Sequence, residues 1–335
     1  MVMSADQRKL TSVEMGKLWI TYAGNTMSQC IFKYYLQHVE DAEIKKVVEY
    51  ALNLSESILA SIKEIYEETG FPVPIGMTEE DVNIHAPRLF ADEFYLFYLR
   101  YVGKTGLSIY SIAVPLVMQN DIRDLFISWL NSTVELSNMV NDLLQTKGLY
   151  VQPPTLPIPE RVTFIDKQSY LRGFLGDTRP LHAMEITHLH NNMDNNVTSK
   201  ALLTAFSQTA RDEKVRDFFK RGEKIAHKHI ESCSKQLSDE DLPGAPLIDH
   251  LISTSTTPPF SDKLMLAHKI DMFSMKIRSY GNGASLNGRR DIGAMYAKFL
   301  LDVSLYVEDG ANLMIDMGWM ERPPSAANRK HLNSE

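Results

Sequence analysis

Glu185-Ile186-Thr187-His188 sets a carboxylate and an imidazole three residues apart. On an α-helix that spacing turns both toward one face. Two such Glu-x-x-His elements, with a Glu from each of two further helices, make the ligand set of a dinuclear metal centre in a four-helix bundle. This chain has a single such element. The segment of the first half that aligns with it reads Glu14-Met15-Gly16-Lys17, and a protonated lysine offers a cation no lone pair. Other donors in the second half are Glu223, His227, His229, His268, Asp271, and Glu308 beside Asp309. The chemistry these residues suggest is a single divalent ion (iron, manganese or zinc) held by a subset of Glu185, His188, Glu223, His227, His268 and Glu308, in a storage or oxidoreductase role. The competing reading is structural. Glu14 and Glu185 lie near helix starts, where the macrodipole favours a carboxylate, and the histidines are satisfied core or surface groups. In the first half Ile58, Tyr98 and Tyr101 stand where the second has His229, His268 and Asp271, so a site belongs in the second half if anywhere.

No other chemistry is suggested. A Ser-His-Asp set would need a nucleophile elbow, and none occurs. The run "GNGASLNG" (Gly281 to Gly288) ends a helical region and follows no strand, so it is read as a close-packing or kinked segment, not a phosphate loop. No catalytic set and no organic cofactor site is assigned.

The elements that position these residues repeat. "LTSVEMGKLW" (Leu10 to Trp19) falls on "LHAMEITHLH" (Leu181 to His190) at an offset of 171, with Glu14 on Glu185 and Leu18 on Leu189. Asp41 falls on Asp212. The offset then becomes 170: Phe90 on Phe260, Asp92 on Asp262, Tyr110 on Tyr280, Asp121 on Asp291 and Gly148 on Gly318. Ordered matches along the whole length mark a duplication of roughly 145 residues, each copy a domain rather than a solenoid unit.

Within a copy the period is helical. Ile44, Val47, Val48, Ala51, Leu52, Ile58, Leu59, Ile62, Ile65 and Tyr66 form one stripe. Four helices are expected at about 11–38, 41–68, 88–118 and 121–147, and again at about 181–209, 212–237, 262–288 and 290–317. Asp41 and Asp212, and likewise Asp121 and Asp291, are expected as N-caps. Gly148 and Gly318 are expected to stop the fourth helices, with Leu149 and Trp319 folding back on the helix end. Phe90, Phe94, Phe97 and Tyr101 are expected in the core, with Tyr95 and Tyr98 at its flank.

Corners join helices one to two and three to four. Helices two and three are joined by about 20 residues rich in Pro, Gly, Ser and Thr. That length fits a crossover along the bundle, so that helices two and three run parallel. The fold class is therefore all-α, two tandem ferritin-like four-helix bundles: residues 8–150 and 180–322, with a linker at 151–179. The linker is expected to lie along the surface, covering Phe164, Tyr170, Leu171, Phe174 and Leu175.

Bulk properties narrow the partners. The chain has 335 residues, 35 basic against 42 acidic, a net charge of -7, and no basic run, which argues against nucleic acid. Two cysteines without CxxC spacing suit a reducing compartment. The start, MVMSADQRKL, has no apolar core of a secretion signal, and no apolar run reaches membrane-spanning length. A non-secreted protein of the cytoplasm, or of a compartment derived from it, is expected, with a homodimer or protein partners meeting its bundle faces.

Five stretches, "LTSVEMGKLWITY", "FPVPIGMTEEDVNIHAPRLFAD", "RPLHAMEITHL", "TPPFSDKLM" and "YVEDGANLMIDMGWMERPP", make the chain similar to an uncharacterised family of spore-forming Bacillus relatives. The resemblance implies tandem ferritin-like bundles, distantly similar to spore coat protein F, and a spore-associated role. It also implies a His in the second helix of each copy; His229 keeps that position and Ile58 departs from it. Three functions remain in play: a non-enzymatic structural or interaction protein, a metal-binding ferritin-like protein, and a binder of apolar small ligands between helices.

Overall fold

The computed structural model describes residues 9–174 and 178–329. Its described residues form eight α-helices: α1 (Ser12–His38), α2 (Ala42–Thr69), α3 (Asp92–Ala113), α4 (Asn120–Thr146), α5 (Ala183–Thr209), α6 (Glu213–Ser238), α7 (Asp262–Ser285) and α8 (Arg290–Asp316). Helices α1–α4 make one bundle and α5–α8 a second.

Local chemistry sets the helix ends. Asp41 Oδ1 accepts from the N–H groups of Glu43 (2.9 Å) and Ile44 (3.1 Å), and Asp212 Oδ1 from Val215 N (3.1 Å), as capping requires. Gly148 and Gly318 take φ of +65° and +69°, and the next residues close the turn: Leu149 N to Leu144 O and Trp319 N to Met314 O, both 2.9 Å. This is the Schellman stop, and Leu149 and Trp319 do pack back on the core. Asp121 and Asp291 are not N-caps. The cap positions are Gln119 and Arg289, neither making a side-chain cap hydrogen bond. Glu14 and Glu185 serve those helix starts from across the bundle: Glu14 Oε1 accepts from Gln119 N (3.1 Å), and Glu185 Oε1 from Gly288 N (2.9 Å) and Arg289 N (3.0 Å).

These ties fix the connectivity. Glu14 joins the starts of α1 and α4. At the other end Asp92, opening α3, accepts from Asp41 N at the start of α2 (2.6 Å), and Lys147, after α4, reaches Asp41 (2.8 Å). Helices α2 and α3 therefore start at the same end and run parallel, joined by one long crossover as in ferritin-like folds. The second bundle repeats this, Asp262 accepting from Asp212 N at 2.7 Å.

The two bundles clasp each other through their crossovers. Val82 pairs with Phe260 and Phe90 with Ile252 in isolated antiparallel bridges. Four backbone bonds accompany them: Asn83 N to Pro259 O (2.7 Å), Ser253 N to Leu89 O (2.8 Å), Ala91 N to Leu251 O (2.9 Å) and Ser261 N to Asp81 O (2.9 Å). Each bond has its mate at the 170 offset, so the bundles are related by a pseudo-twofold axis. This pairing holds residues 88–91, expected at the head of the third helix, in extended form instead. Beside the axis Tyr98 Oη and His268 Nε2 lie 2.8 Å apart, and each stands at the other's place in the repeat.

Burial follows. One hydrophobic cluster runs from the second bundle across the interface into the adjoining half of the first, and a separate cluster fills the first bundle's far end. Because α3 packs against both bundles, Tyr95 and Tyr98 are fully buried rather than flanking, while Phe97 is only partly covered. Leu52 and Leu59, expected in the α2 stripe, are likewise only partly buried. The linker departs most from expectation. Ile158 (91% exposed), Val162 (89%) and Phe164 (94%) project into solvent, and Phe174 is exposed too. Its proline-containing stretch before the 3-10 turn at Gln168–Leu171 forms neither helix nor strand, whereas Tyr170 is half-buried under the Arg179 guanidinium. Leu175 lies outside the described residues.

Candidate functional site

The six nominated metal ligands are not brought together. Glu185, buried in the first turn of α5, receives both Arg179 guanidinium nitrogens at 2.8 Å and the N–H of His182 at 3.0 Å, besides those of Gly288 and Arg289. Burial alone would raise its pKa; Arg179 and the backbone donors outweigh that and hold it at about 2. Such a carboxylate has no lone pair to spare. His188 is half-buried, its Nε2 without a partner. Glu223 faces Lys200 at 3.8 Å, and His227, 47% exposed, faces Glu231 at 3.4 Å. Glu308 is exposed on α8. His268 lies at the interface on Tyr98, its pKa pushed down to about 3 by burial and then by Lys269. Among the described residues no group of three or more His, Cys, Asp or Glu is placed to hold a metal ion.

The core of the second bundle is polar for another reason. Lys276 Nζ donates to Asn196 Oδ1 (2.9 Å) and lies 3.9 Å from the Phe273 ring centroid. Asn196 Nδ2 donates to Tyr280 Oη (2.9 Å), and Tyr280 Oη meets His229 Nδ1 at 2.9 Å. Lys269 Nζ reaches Ser199 O at 3.2 Å and Oγ at 3.1 Å. Burial pulls both lysines well below the ordinary amine range. Amines, amides, a phenol and an imidazole thus fill the place where a dinuclear bundle converges carboxylates, and the donor set does not fit such a centre. His229 is stacked on Phe299 at 3.8 Å, its pKa pushed down to about 3 by burial and next by Lys276, against the pull of Asp302.

Sequence reasoning passed over Lys269 and Lys276. The signal was present in the repeat, which sets them opposite Leu99 and Gly106. It also sets Asn196 on Asn25, and Tyr280 on Tyr110.

Those substitutions leave two unlike cavities at equivalent places. In the first bundle a cavity of about 90 Å³ is lined by Ile20, Gly24, Gly106 and Ile109, with Asp271 reaching in from α7. In the second, a cavity of about 170 Å³ has Asn191, Asn195, Lys276 and Ser279 at the matching positions, with Tyr101 reaching in from α3. The first has no Lys or Arg on its wall; the second has Lys104, Lys276 and Arg278. A further cavity of about 200 Å³, sharing Ile20, Gly24, Met27 and Asp271 with the first, opens beneath Trp19, Trp319 and Met320.

Fold and interior together define a tandem ferritin-like bundle protein whose two halves have diverged inside. The chain matches the family "protein of unknown function (DUF3231)" twice, over residues 1–162 and 170–332, and belongs to it. No curated protein matches. Among solved structures it is similar to a provisionally named spore coat protein of Bacillus halodurans C-125, at 17% identity and a TM-score of 0.41, over 45% of this chain and 98% of that one. A likeness that remote supports no functional argument.

Proposed function

We propose that this protein is a non-enzymatic interaction protein: a clasped pair of bundles that presents the strap between its halves to a protein partner. One observation carries this. Ile158, Val162 and Phe164 are each close to fully exposed in a short, proline-containing segment without helix or strand. Several large apolar groups exposed along one short segment are the mark of a contact surface. The polar groups nominated for chemistry support the reading, since Glu185 and His268 serve helix ends and the bundle interface. The spore-associated setting is part of the proposal and rests on the family resemblance. Among the described residues no helix is long and apolar enough to cross a membrane.

The test places a photocrosslinking residue at 164, or at 301 on α8 as an exposed control, in sporulating cells. The expected result is a discrete adduct from position 164 and none from 301, with a mass that separates a second copy from another protein. The same pattern from both positions, or no adduct from 164 in folded protein, would overturn the reading. The small-ligand alternative is favoured by the first bundle's cavity.

A further inference from the structure

We propose that the cavity of the first bundle binds a small aliphatic amine, with its nitrogen between Asn25 and Asp271 and its chain along the apolar wall. The second bundle shows what fills the same place when the chain supplies it. There a four-carbon stem with a terminal nitrogen, the Lys276 side chain, enters from α7 and donates to Asn196 Oδ1 at 2.9 Å. The first bundle keeps the receptor and lacks the occupant. Asn25 repeats Asn196: its Nδ2 donates to Thr21 O (2.8 Å) and reaches Tyr110 Oη at 3.4 Å. Gly106 stands where Lys276 would be, so α3 supplies no amine here and Asn25 Oδ1 receives no donor among the described residues.

The wall carries unpartnered polar atoms in an apolar surround. Thr21 Oγ1 and His268 Nδ1 are buried without a hydrogen-bond partner, and both residues line this cavity. They are 3% and 4% exposed, and unsatisfied polar atoms at that depth are uncommon. Asp271 makes no hydrogen bond or ion pair with a described residue, and burial raises its carboxyl to about 6 against the pull of Arg278. The cavity has no Lys or Arg on its own wall, where Asp271 is the carboxylate, and Lys263 and Glu321 line the adjoining pocket. A cationic head with an aliphatic body complements this; an anion does not. The pocket beneath Trp19 and Trp319 adjoins at Asp271, so a chain longer than four carbons has room to continue.

n-Butylamine, which is the lysine side chain without its backbone, is the probe. Calorimetric titration and thermal shift would compare it with n-butanol and butyrate on the full chain. Saturable binding of n-butylamine, at least tenfold tighter than n-butanol and with no butyrate binding, is expected. Asp271→Asn should erase most of that preference. Gly106→Lys should abolish binding by supplying the amine internally. A Cβ at 106 meets Thr133 Cγ2 at 3.0 Å and Tyr110 Cε2 at 3.4 Å, so the isosteric Asp271→Asn is the safer variant. Equal response to amine and alcohol, or an Asp271→Asn protein of unchanged circular dichroism that binds n-butylamine as wild type does, would overturn the proposal. So would an absence of any saturable amine binding.

Discussion

Replacing Glu185 by Gln tests whether the chemistry-bearing glutamates are structural. The wild-type carboxylate accepts five hydrogen bonds: two from Arg179, and one each from His182, Gly288 and Arg289. Glutamine keeps the shape, cancels the charge and turns one acceptor into a donor facing donors. Breaking a buried, charge-assisted pair costs about 3–5 kcal/mol, because the remaining cation loses its partner. Glu14 accepts from Thr11 N (2.8 Å), Thr11 Oγ1 (2.9 Å), Gln119 N (3.1 Å) and Gln119 Nε2 (2.8 Å), with no cation among the described residues, so Glu14→Gln should cost less, about 2–3 kcal/mol. A carboxylate merely facing a helix dipole would cost about 1 kcal/mol or less.

The pH dependence sharpens the test. Glu185 is held at about 2 in the folded state against 4.5 as its ordinary value. The unfolded chain therefore takes up the proton first on acidification. The stabilisation is complete well above 4.5 and is lost as pH falls toward 2. Linkage with this shift gives a loss of about 1 kcal/mol by pH 4 and about 2 kcal/mol by pH 3, as upper values. The assay is urea unfolding by circular dichroism at pH 7, 4 and 3, with m-values checked for a change in cooperativity. The gap between wild type and Glu185→Gln should narrow on that schedule. A gap under about 1 kcal/mol at pH 7, or one that does not move with pH, would refute the lock.

Other substitutions read other parts of the molecule. Lys276→Met should leave stability unchanged or raise it by about 1–3 kcal/mol, since a buried amine without a carboxylate gives way to an apolar stem. Wild-type stability should rise between pH 7 and 9, because the unfolded chain binds protons that the buried lysines release, and thermal melts of the variant should show a shallower rise. Tyr98→Phe strips His268 of its remaining partner and should cost about 1–3 kcal/mol in urea unfolding. Ile62→Ala, at a position with no exposure, should cost about 2–5 kcal/mol, and Leu52→Ala, only partly covered, clearly less in the same assay. Exhaustive chelation should leave the melting temperature unchanged; a drop reversed by iron, manganese or zinc would restore the metal reading.

The duplication, the eight helices and the crossovers were legible because each is written in local signals. Asp41, Gly148 and the α2 stripe act within a few residues of where they stand. Misreadings arose where a side chain answers to the other bundle. Phe90 fits a helix by spacing, yet Ile252 draws it into a bridge. Tyr98 lies off the apolar stripe of its own helix and is buried because His268 covers it. Asp121 has the composition of a cap, but the helix starts two residues earlier, with Gln119 at the cap position and its N–H held by Glu14, 105 residues before it in the chain. The nominated metal ligands shared a type and a half of the chain. Convergence is a tertiary property that spacing along single helices does not encode. The linker was misread from composition: apolar residues suggested cover, yet Ile158, Val162 and Phe164 stand in solvent.

Duplication within one chain also does what a symmetric dimer of single bundles cannot. On an exact twofold axis a residue meets itself, and two copies of one side chain must then satisfy each other. Here Tyr98 meets His268, a phenol against an imidazole with its pKa pushed down to about 3, and the pair shares one short bond. The same freedom acts a turn further along the helices. Lys276 puts an amine into one bundle where Gly106 puts none into the other, and Tyr101 and Asp271 exchange a phenol for a carboxylate across the interface. A repeat retained for packing alone would keep its two interiors alike, since the same backbone favours the same fillers. Restoring likeness is therefore informative in both directions. A chain carrying Gly106→Lys with Asp271→Tyr should gain stability if the open cavity is only a packing fault. If that cavity has a ligand, the same chain should lose the ligand whether or not it gains stability.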